Sequence, residues 1–258
     1  MEEPPEDSVE ETSSSQTSPP THIAKKESRG LHGPSLGLGA AIAIVSIISA
    51  FYAVSMIDSN PELQFEENTP SPGDSMALFT ANASPYLGKD NAPITLVEFG
   101  DYQCFFCNKF FHDTEESILK NYVETGKVKI IFKDFTIIGP DSIAAAYASH
   151  CAEDQGKFWE YHDELYNNWA GENNGWASSE NLVMFAQNVG LDEEIFKQCM
   201  SDGKYKELIT ASSNDARNLG ITGTPAFFVI GPDNQATRIS GAQPYEVFHN
   251  IFQEELKK

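Results

Sequence analysis

The chain is poor in cysteine, poor in positive charge and without an internal repeat, and each shortage removes a class of protein. Four cysteines among 258 residues are too few for a disulfide-dense miniature domain, in which several cross-links replace a hydrophobic core. Only 17 lysines and arginines stand against 38 acidic residues, for a formal charge of -21. Such a surface repels phosphate backbones and anionic headgroups, so nucleic acid is not an expected partner. The lack of a repeated segment excludes solenoids and propellers. What is present, 40% hydrophobic and 11% aromatic residues, suffices for a sizeable core in one or two domains.

Charge and apolar residues are unevenly spread. Residues 1–35 are rich in Glu, Ser, Thr and Pro and bury too little apolar surface to offset ordering entropy, which predicts a disordered tail. Residues 36–57, LGLGAAIAIVSIISAFYAVSMI, carry no charge. About 22 residues make a helix of roughly 33 Å, long enough for a bilayer core of ~30 Å. Lys25, Lys26 and Arg29 precede this run, and Asp58, Glu62, Glu66 and Glu67 follow it. That bias predicts a cytoplasmic N-terminus, a single-pass transmembrane helix in the cell membrane and an extracytoplasmic remainder. A cleaved signal peptide, with Ala53-Val54-Ser55 as its small-residue site, is the competing reading. Residues 58–84 are polar and contain prolines, and read as a flexible tether with a reach of about 30 Å.

The folded part, 85–258, opens on the strand-like run ITLVEF (Ile94 to Phe99). A helical pattern follows from about Cys104 to Thr125 and closes at Gly126. KVKIIFKDF reads as a second strand, and from about 141 to 219 the apolar period is helical throughout. AFFVIG and ATRISG, joined by Gly231-Pro232-Asp233-Asn234, read as a hairpin, and a helix from about Tyr245 ends the chain. The fold class expected is α/β, with an all-helical block inserted into a small strand-and-helix unit.

The sequence GDYQCFFC puts Cys104 and Cys107 at the head of the first helix. Unpaired amides and the helix dipole there favour a thiolate, which makes Cys104 the attacking sulfur. Cys107, one turn on, can face it as the resolving thiol. A structural zinc site needs four ligands, and neither Cys151 nor Cys199 belongs to a second C-x-x-C. Cys151 and Cys199 lie on separate predicted helices and are open to three readings: a structural disulfide, two buried free thiols, or a second redox relay. Glu98 is the one charge in an apolar strand. It is either a solvent-facing residue or a buried carboxylate. Phe105 and Phe106 either form an apolar platform for unfolded clients or pack inward. His112 and His150 show no ligand spacing typical of a metal site, and no metal or cofactor is expected.

The segments LGKDNAPITLVEFGDYQCFFC, AAAYASHCAEDQGKFWEYHDELY, LDEEIFKQCMSDGKY and ARNLGITGTPAFFVIG, in that order, resemble the DsbA-like branch of the thioredoxin superfamily over about Pro85 to Lys258. The resemblance implies a thioredoxin fold with an inserted helical domain and a cis-proline at Pro225 facing a redox-active Cys104–Cys107 disulfide. It also implies thiol-disulfide exchange on exported proteins, with the backbone of Thr224 free to pair with a client strand. Glu98 would then sit under the cysteines and relay the proton of Cys107, with Lys133 on the adjacent strand as its partner. Cysteine-containing exported proteins and a quinone-linked membrane protein that regenerates the disulfide are the implied partners. Phe105-Phe106 departs from the commoner proline and histidine pairs between the cysteines, leaving electron flow open between oxidation and reduction or isomerisation. A thiolate metal carrier and a redox-inert peptide-binding module are the readings from other classes.

Overall fold

The computed structural model describes residues 72–258. The expected tail and transmembrane run lie outside the described residues. Among those described, no helix is long and apolar enough to cross a membrane. The expected tether lies partly inside them: Pro72–Thr80 forms helix α1, and its Phe79 packs on Phe228 with ring centroids 4.7 Å apart. The flexible-tether reading of residues 58–84 therefore does not hold over residues 72–80, because Met76 and Phe79 find an apolar sheet face that their own segment does not reveal.

Strand β1, Ile94–Gly100, leads into helix α2, which starts at Phe105–Phe110 and continues through π-helical turns at Phe111–Glu115 and Leu119–Val123. Gly126, at φ +76°, takes the left-handed conformation that turns the chain into β2, Val128–Asp134. Five helices follow: α3 (Pro140–Glu153), α4 (Phe158–Asn167), α5 (Ser179–Asn188), α6 (Glu193–Asp202) and α7 (Lys206–Asn218). Strands β3 (Ala226–Ile230) and β4 (Ala236–Ser240) form the hairpin, and α8 (Tyr245–Glu255) closes the chain. The strand order is β2-β1-β3-β4, with β1 and β2 parallel and the other pairs antiparallel.

Because β1 is an inner strand covered on both faces, its residues are buried almost without alternation. The faces still differ. Ile94 and Leu96 join Phe110, Ile118, Phe248 and Phe252 under α2 and α8, whereas Val97 and Phe99 join Ile131 and Phe228 under α1 and α7. Period-two geometry therefore places Glu98 on the α2 side. Gly100 is required where β1 ends, since a Cβ there would come within 2.4 Å of the Phe132 ring. A third cluster fills the helical block and runs up to Tyr102, Cys104 and Cys107.

Cys151 on α3 and Cys199 on α6 form the disulfide, which excludes the free-thiol reading. Beside it, His150 is buried with Nε2 2.8 Å from Asp134 Oδ2 and Nδ1 2.9 Å from Glu153 Oε2. Burial pushes the imidazole down, but the charge of Asp134 and the hydrogen bonds to both carboxylates prevail and carry it up to about 9.

Two outcomes follow for stability. A folded-state value above the unfolded one of about 6.5 means that the His150 contribution is complete below that pH and disappears as pH rises through about 9. Urea unfolding of the wild type and H150Q should differ by on the order of 3 kcal/mol at pH 6 and converge by pH 10. Replacing both Cys151 and Cys199 by alanine opens a loop of 48 residues' separation and should lower stability by about 4 kcal/mol in the chain-entropy model, read in the same assay.

Candidate active site

The segment between β1 and α2 is held from both ends. Asp101 accepts from the backbone N–H of Gln103 at 2.9 Å through one carboxylate oxygen, and from Ile137 and Ile138 at 2.8 and 3.1 Å through the other. It thereby joins the β1 exit to the β2 exit. Gln103 continues the contact into the inserted helices: its amide donates to Ser142 Oγ at 3.0 Å and accepts from Asn173 N at 2.6 Å. Its carbonyl takes the Trp169 indole N–H at 2.8 Å. These bonds fix where the next residue, Cys104, can sit.

Cys104 is the N-cap of α2, in extended conformation. Both Cys104 and Cys107 are free thiols. The Cys104 thiol donates to the Thr224 carbonyl at 3.3 Å. Its pKa is lowered to about 6: the hydrogen bond from the Cys107 thiol is the largest cause, burial opposes it, and the Thr224 side chain and the N–H groups of Cys107 and Phe106 add to it. Cys107 is moved upward by burial, then by its hydrogen bond to Cys104 and the charges of Cys104 and Glu98. The pair is thus asymmetric at neutral pH. One sulfur is mostly thiolate and the other stays a thiol.

Glu98 is buried at 3% exposure on the face that carries the cysteines, which excludes the solvent-facing reading. Burial raises its pKa well above the ordinary carboxylate range, with the charges of Glu115 and Cys104 adding to it. Lys133 is not its partner. In the β1–β2 register Glu98 pairs with Phe132 and Lys133 with Phe99, so Lys133 points to the opposite sheet face. There its ammonium binds Asp215 Oδ2 at 2.7 Å and the Ala81 carbonyl, tying α7 and the segment after α1 to the sheet. Burial lowers its pKa against the opposing pull of Asp215. Its role is structural.

The Thr224–Pro225 bond is cis. The Thr224 carbonyl, expected to be free, takes the Cys104 thiol in this dithiol state. Phe105 and Phe106 are about half exposed and meet edge to face at 5.3 Å, with Trp169 at 5.9 Å from Phe105. The inward-packing alternative therefore fails for both rings. Glu172, on the same loop as Trp169, accepts from the Phe105 N–H at 3.2 Å. His162 Nδ1 meets Tyr102 Oη at 3.1 Å and His249 Nδ1 meets Tyr122 Oη at 2.7 Å.

Asp101, Gln103, Trp169, Glu172, Glu115 and Tyr166 are site residues that sequence reasoning missed. Of these, Glu115 left a trace: it is an acid beside the buried stripe of α2 that runs through Cys107, Phe110, Thr114 and Ile118. Trp169, Glu172 and Tyr166 reach the cysteine loop through docking of the insertion, which leaves no local pattern, and Asp101 and Gln103, although next to Cys104 in the chain, find their partners only in the folded structure.

A dithiol at a strand-to-helix junction, beside a cis-proline loop and over a buried acid, defines a thioredoxin-type centre. The chain belongs to the thioredoxin family, whose model, described as Thioredoxin, matches residues 80–250, and within it to the DsbA-like branch. It is 29% identical over 201 residues to the "Probable disulfide bond formation protein D" of Bacillus cereus, covering 76% of this chain and 88% of that one. With the "Disulfide bond formation protein D" of Bacillus subtilis it shares 31% identity over 148 residues, 56% of this chain and 67% of the other. The crystal structure of oxidised BdbD from Bacillus subtilis superposes with a TM-score of 0.61 at 29% identity, over 68% of this chain and 94% of that one.

Alkylation of the reduced protein with iodoacetamide should modify Cys104 with a midpoint near pH 6, and Cys107 should react far more slowly across the range. Mass spectrometry of the labelled peptides checks both statements. A midpoint near the free-cysteine value of about 8.5 would contradict the assigned asymmetry.

Proposed function

We propose that the protein is a thiol:disulfide oxidoreductase that promotes disulfide formation in exported or cell-surface proteins. The observation that carries this reading is the Cys104 sulfur at the α2 N-cap, its pKa lowered to about 6 above a buried Cys107 thiol. In the oxidising direction a client thiolate attacks Cys104 Sγ of the disulfide, and Cys107 leaves. A second client thiol then displaces Cys104 and the client departs oxidised. The exposed Phe105 and Phe106 receive apolar residues beside the client cysteine, and the Thr224 backbone, freed when the Cys104 thiol is consumed, pairs with the client strand.

The thiolate supports the oxidising direction. Stabilising Cys104 as an anion favours the dithiol and so makes the disulfide a better oxidant. A value of about 6 falls between those of thioredoxin, about 7, and DsbA, about 3.5. The same number supports a weaker oxidant than DsbA, and hence the reductase or isomerase reading as the second one. Residues 36–57 would hold the domain in the membrane with the catalytic unit outside, and a quinone-linked membrane protein would reoxidise the dithiol. The tether raises the effective concentration of both partners.

Cys107→Ser should accumulate client proteins disulfide-linked through Cys104, separable on non-reducing gels. Equilibration with glutathione should place the potential between about -270 and -120 mV, above about -200 mV if oxidation is the physiological direction. A potential near thioredoxin's would favour reduction. Absence of any trapped client would remove the enzymatic reading.

A further inference from the structure

Thiol exchange at Cys107 requires a proton at each turnover, and Glu98 has no direct exposure through which to exchange one: it is 3% exposed beneath α2. The charge of a second buried acid, Glu115, acts on Glu98. Glu115, also 3% exposed, lies in the first π-helical turn of α2, a helix distortion found frequently at functional sites. That turn faces α4. Phe111 packs on Tyr166 at 5.2 Å, and one helical step further along both helices Glu115 and Asp163 line a shared cavity of about 250 Å³ with His112, Glu116 and Leu119. Asp163 is exposed at the cavity mouth. On the inner side the Tyr166 hydroxyl is buried and makes no hydrogen bond among the described residues.

We propose that Glu115 and Asp163 form the solvent outlet of a proton path that starts at Cys107 and passes Glu98, with Glu115 returning a proton to Glu98 in each cycle. The inference rests on the exchange reaction proposed above and adds two positioning residues to it. In the oxidising half-reaction the client sulfur bonds to Cys104 Sγ and the Cys104–Cys107 bond breaks, with its electron pair leaving on Cys107 Sγ. Glu98 gives its proton to that thiolate. Glu115 reprotonates Glu98, and water in the cavity reprotonates Glu115 beside Asp163. In the reducing direction each transfer runs backwards.

The charge environment agrees with this order. Glu115 is raised to about 8 by burial and by the charge of Asp163. The carboxyl of Asp163, partly desolvated although the residue as a whole is exposed, is raised to about 6, with the charge of Glu160 adding to it. Glu98 feels Glu115 and Cys104, and Cys107 feels Cys104 and Glu98. The Tyr166 phenol is raised by burial and then by the charges of Cys107 and Glu98. His162, buried on α4, is held neutral by desolvation, with a value of about 3. Glu115 thus carries a proton at neutral pH while Asp163 is ionised, so the pKa falls from Glu115 outward to Asp163.

The test uses the full-length oxidised protein mixed rapidly with reduced glutathione, followed by tryptophan fluorescence and by proton uptake with a pH dye between pH 5.5 and 9. In the wild type the proton-coupled rate should fall above about pH 8. In E115Q it should be about tenfold lower at pH 7 or slower, lack that fall and recover with added imidazole or formate, while the Cys104 alkylation midpoint stays in place. In D163N, a surface change that removes the charge facing Glu115, the fall should move to lower pH. A wild-type rate and profile in E115Q, with E98Q slowed, overturns the outlet but leaves the oxidoreductase reading standing. A wild-type protein that does not exchange with glutathione removes both. Should E115Q fail to fold, an unmoved profile in D163N overturns the outlet.

Discussion

The structure depends on one charge: the Cys104 thiolate at the N-cap of α2. A sulfur anion there is stable because Cys107 and the amides of Phe106 and Cys107 point at it, and because the first-turn N–H groups have no helical partner of their own. The same arrangement forbids a second anion. Cys107 sits directly beneath, buried with Glu98, and ionising either next to Cys104 costs free energy in the low-dielectric interior. The asymmetry of the dithiol is therefore built in by position, and it is what the proposed division of attack and resolution between the two sulfurs rests on.

Holding that sulfur in place requires more than the sheet. The chain from Gly100 to Cys104 is a short irregular link, and its polar groups are satisfied from elsewhere: Asp101 by the segment after β2, Gln103 by α3 and by the loop after α4. The insertion thus acts as a brace on the cysteine loop, and within it the Cys151–Cys199 disulfide links α3 to α6. Along the other face, Lys133 and Asp215 fasten α7 to the sheet. A lysine that reads as a proton partner in the sequence works here as an anchor for the scaffold.

Much of this was legible beforehand. The strand, the helix after it, the helical block and the hairpin fall within a few residues of their expected places, because hydrophobic period and the Gly and Pro signals act locally. The position of Cys104 at a helix start followed from the same local rules. Helix α1 was not legible, since its apolar residues are few and acquire a partner only when Phe79 reaches Phe228. The π-helical turns were not either: the sequence 105–123 reads as one regular helix, and the extra backbone step shows only when α2 packs against α4 and the sheet.

By itself the sequence determined that two thiols one turn apart stand at the end of a strand, because neighbouring residues set helix starts and strand faces through bonds that span four residues or fewer. It also placed an acid in the middle of β1. Which side of the sheet Lys133 takes depends on the β1–β2 register, a relation between residues more than thirty positions apart. Whether Cys151 meets Cys199, and which carboxylates gather under α2, likewise depend on how the inserted helices dock. Those long-range contacts set a cysteine at a helix start beside a buried partner thiol and buried carboxylates, and only the tertiary structure could decide them.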